Sequence, residues 1–177
     1  MAISPASTAN YDWFLDNFCR DLLEKAEREG TDIHTLLRPE NLCTAGGPPQ
    51  RFLQAHLRHL HCAAPLPPSA SGLVVYTQDA RVARKLQEDL VEHECTAEVT
   101  GQIAPAGLPA LHPLKASWQS ERRLRLAFQG EREAGIPAQC AALGLQVQTL
   151  RRLRLGRISL AQLPEGQWRY LLPWERF

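Results

Sequence analysis

Gly144–Leu171, GLQVQTLRRLRLGRISLAQLPEGQWRYL, is the stretch whose reading decides the fold. It reads as strand, tight turn, strand, turn, strand. An alternating run opens at Val147 and Leu150. In a regular strand Arg152 and Arg154 then share one face, while Arg151, Leu153 and Leu155 take the other. Gly156 breaks the run, Ile158 and Leu160 restart it, and Pro164-Glu165-Gly166 signals a second turn. Trp168 to Leu171 supplies a closing extended segment.

The stretch lies in the basic part of an almost neutral chain. Net charge is +1 over 177 residues, yet residues 118–177 hold ten Arg and five acids, a net +5. The preceding residues hold ten basic groups and fourteen acids, a net −4. Arg dominates the basic set, with Lys only at 25, 85 and 115. An Arg-rich half is what phosphate binding needs, and solvated strand faces are the plainer explanation.

Upstream, Arg122 to Phe128 alternates as a strand, with Leu124, Leu126 and Phe128 inward and Arg123 and Arg125 outward. Pro137 to Leu143 predicts a short helix, and residues 101–115 an irregular Pro/Gly-rich segment. Glu94 to Thr100 alternates again, with Cys95, Ala97 and Val99 on one side. Gly72 to Thr77 (GLVVYT) reads as a buried strand. Asp79 is a helix cap for the following run, which carries Val82, Leu86 and Leu90 inward. Gln50 to His61 predicts another helix. Asn10 caps an amphipathic helix to about Arg28, with Tyr11, Phe14, Phe18, Leu22 and Ala26 at helical spacing. A short helix over Asp32 to Leu37 follows.

With 44% hydrophobic and 22% charged residues, the chain suits one soluble core. No apolar run reaches the roughly 18–20 residues that span a bilayer, and no secretory signal opens the chain. Five cysteines without a CxxC pair suggest reduced thiols in the cytoplasm. His56, His59, His61 and Cys62 cluster, but no second ligand pair accompanies them. Surface or RNA-facing histidines are therefore expected, with no metal and no cofactor. The fold class expected is α+β, a mixed and largely antiparallel sheet flanked by helices.

The C-terminal stretch resembles the tail of the bacterial ribosomal-RNA pseudouridine synthases that act on single uridines, roughly G-x-x-V-x-x-L-x-R-x-R-I-G-x-x-x-L-x-x-L-P-x-G-x-W-R-x-L. Gly144, Val147, Leu150, Arg152, Arg154, Gly156, Leu160, Leu163, Pro164, Gly166, Trp168, Arg169 and Leu171 fall in register without a gap. The likeness continues upstream. Leu66, Ser71, Gly72, Leu73, Thr77 and Asp79 match the family's G-R-L-D-x-D-T-S-G-L-L-L-L-T-N-D-G, and Gly130 to Gly144 stand where it has E-G-R-N-R-Q-V-R-R-M-x-x-x-L-G. The resemblance covers residues 65–172 and implies a pseudouridine synthase fold. It predicts a single domain over 1–177, with a divergent helical part at 1–60 and no separate small RNA-binding module.

The resemblance also implies what is missing. In this family the Asp of R-L-D is the covalent nucleophile, and Pro67 stands at its place. The Tyr of K-T-Y, which packs on the target base, falls on Cys95. The Arg of Q-V-R, which pairs with the catalytic Asp, falls on Pro137. RNA-contacting Arg positions have become Ala134 and Ala138. Ser69 and Ser71 lie in the nucleophile loop, but no base stands beside them in sequence. No catalytic residue is therefore expected to be intact.

Arg122, Arg123, Arg125, Arg132, Arg151, Arg152, Arg154, Arg157 and Arg169 are the candidate RNA-binding residues, because guanidinium groups hold phosphates bidentately. Three functions follow. The first is an inactive, RNA-binding relative of the synthases, acting on ribosomal or other structured RNA in ribosome assembly or regulation. The second is a divergent active synthase whose carboxylate arrives from elsewhere, such as Glu92 or Glu94. The third is a protein-interaction module that docks a partner through the Tyr11–Arg28 helix.

Overall fold

The computed structural model describes residues 37–44, 51–88, 91–172 and 174–175. The helices expected at 10–28 and over most of 32–37 lie outside the described residues.

Strand β4 (Glu92–Thr100) forms the middle of the main sheet. Its alternation is strict: His93, Cys95, Ala97 and Val99 are buried, while Glu98 and Thr100 are exposed and Glu92, Glu94 and Thr96 half-buried. A strand buries one face only, so this pattern fixes which side of the sheet is the core. The antiparallel neighbours of β4 are β6 (Arg123–Gln129) and β7 (Gln146–Leu155). Outside β6 lies β5 (Lys115–Ser120), a strand absent from the sequence reading, which left residues 101–115 irregular and began the next strand at Arg122. Outside β7 lies β2 (Ser71–Gly72), the parallel member of this mixed sheet. Strand β8 (Ile158–Ser159) folds back on β7 through the Gly156 turn.

The GLVVYT run is not one strand. Its ends are β2 and β3 (Tyr76–Thr77), and β3 pairs with β1 (His61–Cys62) in a separate two-stranded sheet. The expected helix over 50–61 is only a 3₁₀ turn at Gln54–Leu57 before β1. Helix α1 (Ala80–Glu88) starts at Asp79, whose Oδ1 accepts the Arg81 backbone N–H at 2.8 Å. Helix α2 (Ile136–Ala141) starts one residue before the expected position and places Pro137 in its first turn, where a missing N–H costs nothing.

Two apolar clusters lie about the sheet. Cys95, Ala97, Val99, Leu124, Leu126 and Leu150 meet Ile136 and Cys140 of α2, with Leu108, Leu111 and Leu114 from the 3₁₀ segment near Pro105–Leu111. Each fully buried Leu contributes about 1.5–3 kcal/mol. The second cluster joins Leu73, Val75, Ala83 and Leu86 to Leu155, Ile158, Leu160 and Leu163. The tail ends in an isolated bridge rather than a strand: Trp168 pairs with Leu42, and its fully buried indole donates Nε1–H to the Arg38 carbonyl at 2.8 Å. Among the described residues, no helix is long and apolar enough to cross a membrane.

Candidate functional site

One irregularity in β7 determines where its arginines go. Arg154 pairs with Glu94 and Arg152 with Cys95, so Leu153 is an extra residue, a β-bulge. The bulge breaks the period of two. Arg152 points into the core with Cys95, and Arg154 points to the solvent face with Glu94. The sequence expectation that the two share a face is therefore corrected.

Arg152 is completely buried, and every donor group is engaged. Its Nε–H donates to Glu133 Oε1 at 2.8 Å. Nη1 donates to the carbonyls of Ala64 (2.8 Å) and Leu73 (3.1 Å), and Nη2 to that of Pro65 (2.9 Å). The guanidinium thus clamps the loop carrying Pro67 onto the sheet. Backbone contacts reinforce it: Leu73 N–H donates to the Arg152 carbonyl at 3.0 Å. Gly72 must be glycine here, because it sits at φ +105° and a Cβ would lie 2.3 Å from the Arg152 carbonyl oxygen.

Glu133 arrives from the turn before α2 and is 2% exposed. Its Oε1 also meets His93 Nδ1 at 2.7 Å, and its Oε2 accepts the Arg132 backbone N–H at 3.0 Å. Burial pushes the carboxyl up, but the His93 hydrogen bond and the Arg152 charge outweigh it and hold the group down at about 2. Sequence reasoning missed both Glu133 and His93. The only signal was an acid standing where the family pattern has Asn.

Cys95 lies in this buried site with no solvent exposure, and burial and the Glu133 charge push its thiol far up. A thiol held protonated is a poor nucleophile. Pro67 is half-buried in a turn closed by the Ala70 N–H to Pro67 carbonyl bond (2.9 Å). The Ser71 hydroxyl donates to the Leu150 carbonyl at 3.2 Å, and Ser69 is exposed. Glu92 and Glu94, the acids considered as substitutes, point to the face opposite Cys95. There Arg125 forks onto Glu94 (2.7 and 2.8 Å), and Arg154 bridges Glu94 and Glu92.

The nine candidate RNA-binding arginines therefore separate. Arg123, Arg125, Arg151 and Arg154 lie on the solvent face of the sheet. Arg122 and Arg157 are exposed in the turns after β5 and β7, and Arg132 is exposed before α2. Arg152 and Arg169 are withdrawn from the surface set. Arg169 spends Nη1 and Nη2 on Glu175, both at 2.6 Å, and on the Tyr170 and Ser159 carbonyls. His56 holds the Tyr170 hydroxyl at 2.7 Å, and among the described residues no group of three His, Cys, Asp or Glu is arranged to bind a metal.

No protein-family model and no curated protein sequence matches this chain. Solved structures do. One, described as a crystal structure of pseudouridylate synthase, superposes with a TM-score of 0.67 at 18% identity, over 90% of this chain and 70% of its own. An archaeal box H/ACA sRNP Nop10-Cbf5 complex aligns at 14% identity with a TM-score of 0.46, over 90% of this chain and 55% of its own. An H/ACA RNP bound to a substrate RNA containing 2′-deoxyuridine aligns at 14% identity with a TM-score of 0.48, over 88% of this chain and 51% of its own. The first superposition identifies the fold as that of the pseudouridine synthases.

Proposed function

We propose that this chain is a catalytically silent relative of the ribosomal-RNA pseudouridine synthases that binds structured RNA, in ribosome assembly or its regulation. In this reading residues 1–177 are one domain, the family's catalytic positions are Pro67, Cys95 and Pro137, and residues 1–60 are a divergent addition that meets a protein partner. Uridine isomerisation needs a carboxylate that can reach the sugar carbon. The acid linked to the Pro67 loop, through Arg152, is Glu133, and it is sealed. Both its oxygens are bonded, one of them to a guanidinium that itself holds the nucleophile loop shut.

That closed Glu133–Arg152 pair is the single observation that carries the reading. An ion pair buried this deeply is costly to open, because separation leaves an uncompensated buried charge. RNA binding is supported by the arginines that remain on the surface, which can neutralise phosphates without reading sequence.

Tritium release from ribosomal RNA labelled at uridine C5 tests the catalytic half. The expected result is release no faster than the protein-free blank. Turnover that Glu133→Gln abolishes, with the protein still folded, refutes silence. Crosslinking to RNA in cells, followed by sequencing of the bound fragments, tests the other half. Enrichment of ribosomal RNA is expected, and recovery no greater than from an untagged control refutes RNA binding.

A further inference from the structure

The solvent face of the sheet is ordered in rows. Across the five strands one row reads Ser71, Arg151, Thr96, Arg125, Ser117. Neighbouring strands lie about 4.8 Å apart, so two guanidinium stems project from one row at a separation of about 10 Å, with hydroxyl side chains on each side. The row beside it places Lys115 at one end and Arg154 at the other, with Glu94 between them. Over the whole face, Lys115, Arg123, Arg125, Arg151 and Arg154 stand against Glu92, Glu94 and Glu98.

The acids do not neutralise this face evenly. Glu94 is shared between Arg125 and Arg154, and Glu98 takes Arg123. Arg151 and Lys115 are exposed and have no acidic partner among the described residues. Arg122 and Arg157 continue the positive charge into two turns, also without acidic partners there. The paired arginines are already held in fixed positions, so less side-chain freedom is lost when a ligand arrives.

Two features select the ligand. The described positions of this face carry no aromatic ring, since Trp118 packs against the core on the other side. Bases of a single strand therefore have no stacking platform. Nor is there an apolar centre of the kind that protein interfaces use. Guanidinium, ammonium and hydroxyl donors on an open surface suit the phosphates and 2′-hydroxyls of an RNA helix.

We infer that this solvent face, across the sheet from the Pro67–Cys95 site, is the docking surface for helical RNA, read by shape and backbone rather than by base sequence. The inference rests on the RNA-binding reading above and adds the surface and the form of RNA.

The test is fluorescence anisotropy of the full chain with a labelled, fully paired RNA hairpin and with oligouridine of equal length, over a salt series. The hairpin is expected to bind more tightly. Arg151→Ala with Lys115→Ala should lower the slope of log affinity against log salt by about two, and Arg84→Ala on α1 should leave it unchanged. Both positions are exposed, and an unchanged thermal melt shows that the fold persists. Hairpin binding with an undiminished slope in the double variant overturns the face but leaves RNA binding standing. Preference for oligouridine overturns the helical specificity. Failure to bind either RNA removes the RNA reading itself. Polyglutamate binding with the same variant dependence, in place of hairpin binding, reassigns the face to an acidic protein.

Discussion

Replacing Glu133 with Gln keeps the size of the side chain and removes its charge. The variant leaves the Arg152 guanidinium fully buried with only neutral acceptors, the main-chain carbonyls and an amide oxygen in place of the carboxylate. Removing one partner of a buried pair typically costs about 3–5 kcal/mol. The lowered carboxyl gives a second route to the magnitude. A shift from 4.5 to about 2 corresponds to about 3 kcal/mol at neutral pH. The folded-state value is the depressed one, so this stability is present above pH 4.5 and is lost as pH falls towards 2. Urea unfolding followed by tryptophan fluorescence measures it, with the slope m checked for constancy. At pH 7 Glu133→Gln should lose about 3 kcal/mol, and the gap to the native protein should narrow by about 2 kcal/mol at pH 3. A loss below about 1 kcal/mol at pH 7, or a gap that ignores pH, would show that Glu133 is not the counter-ion of Arg152.

Other outcomes follow from the same geometry. Gly72→Ala should cost about 3 kcal/mol or more, because its Cβ would meet the Arg152 carbonyl oxygen at 2.3 Å; a melting temperature equal to that of the native protein would contradict the close approach. Cys95, buried and with its thiol pushed up, should resist alkylation by iodoacetamide until the protein is unfolded, whereas half-buried Cys43 should label first. Peptide mass analysis of alkylated protein distinguishes the two. Trp168→Phe removes the donor to the Arg38 carbonyl and should cost about 1–3 kcal/mol, read as a lower urea midpoint.

Much of the sheet was legible because its signals are local. The alternation in Glu92–Thr100 and Arg123–Gln129 reports burial on one face directly. Asp79 was readable as a cap for the same reason, since its partner is two residues away. Strand β5, KASWQS, was missed because its exposed and half-buried residues give almost no apolar contrast at an edge. The helix expected over 50–61 failed because apolar residues at helical spacing there pack instead against Trp168 and Tyr76 in the extended chain.

The amino-acid sequence by itself determined the alternation of β4, β6 and most of β7 and the turn glycines, and it supplied the expectation that Pro67, Cys95 and Pro137 stand at the positions that carry chemistry in the synthases it resembles. Only the tertiary structure decided the fate of the charges. Whether an arginine on a strand faces water or the core depends on register, and the bulge at Leu153 exists only because β7 pairs with β4. The carboxylate that neutralises Arg152 comes from 19 residues away, and the histidine that completes the site lies 40 residues from that carboxylate. Such contacts leave no periodic trace in a chain, because they are fixed by how separate elements pack rather than by the neighbours of any one residue.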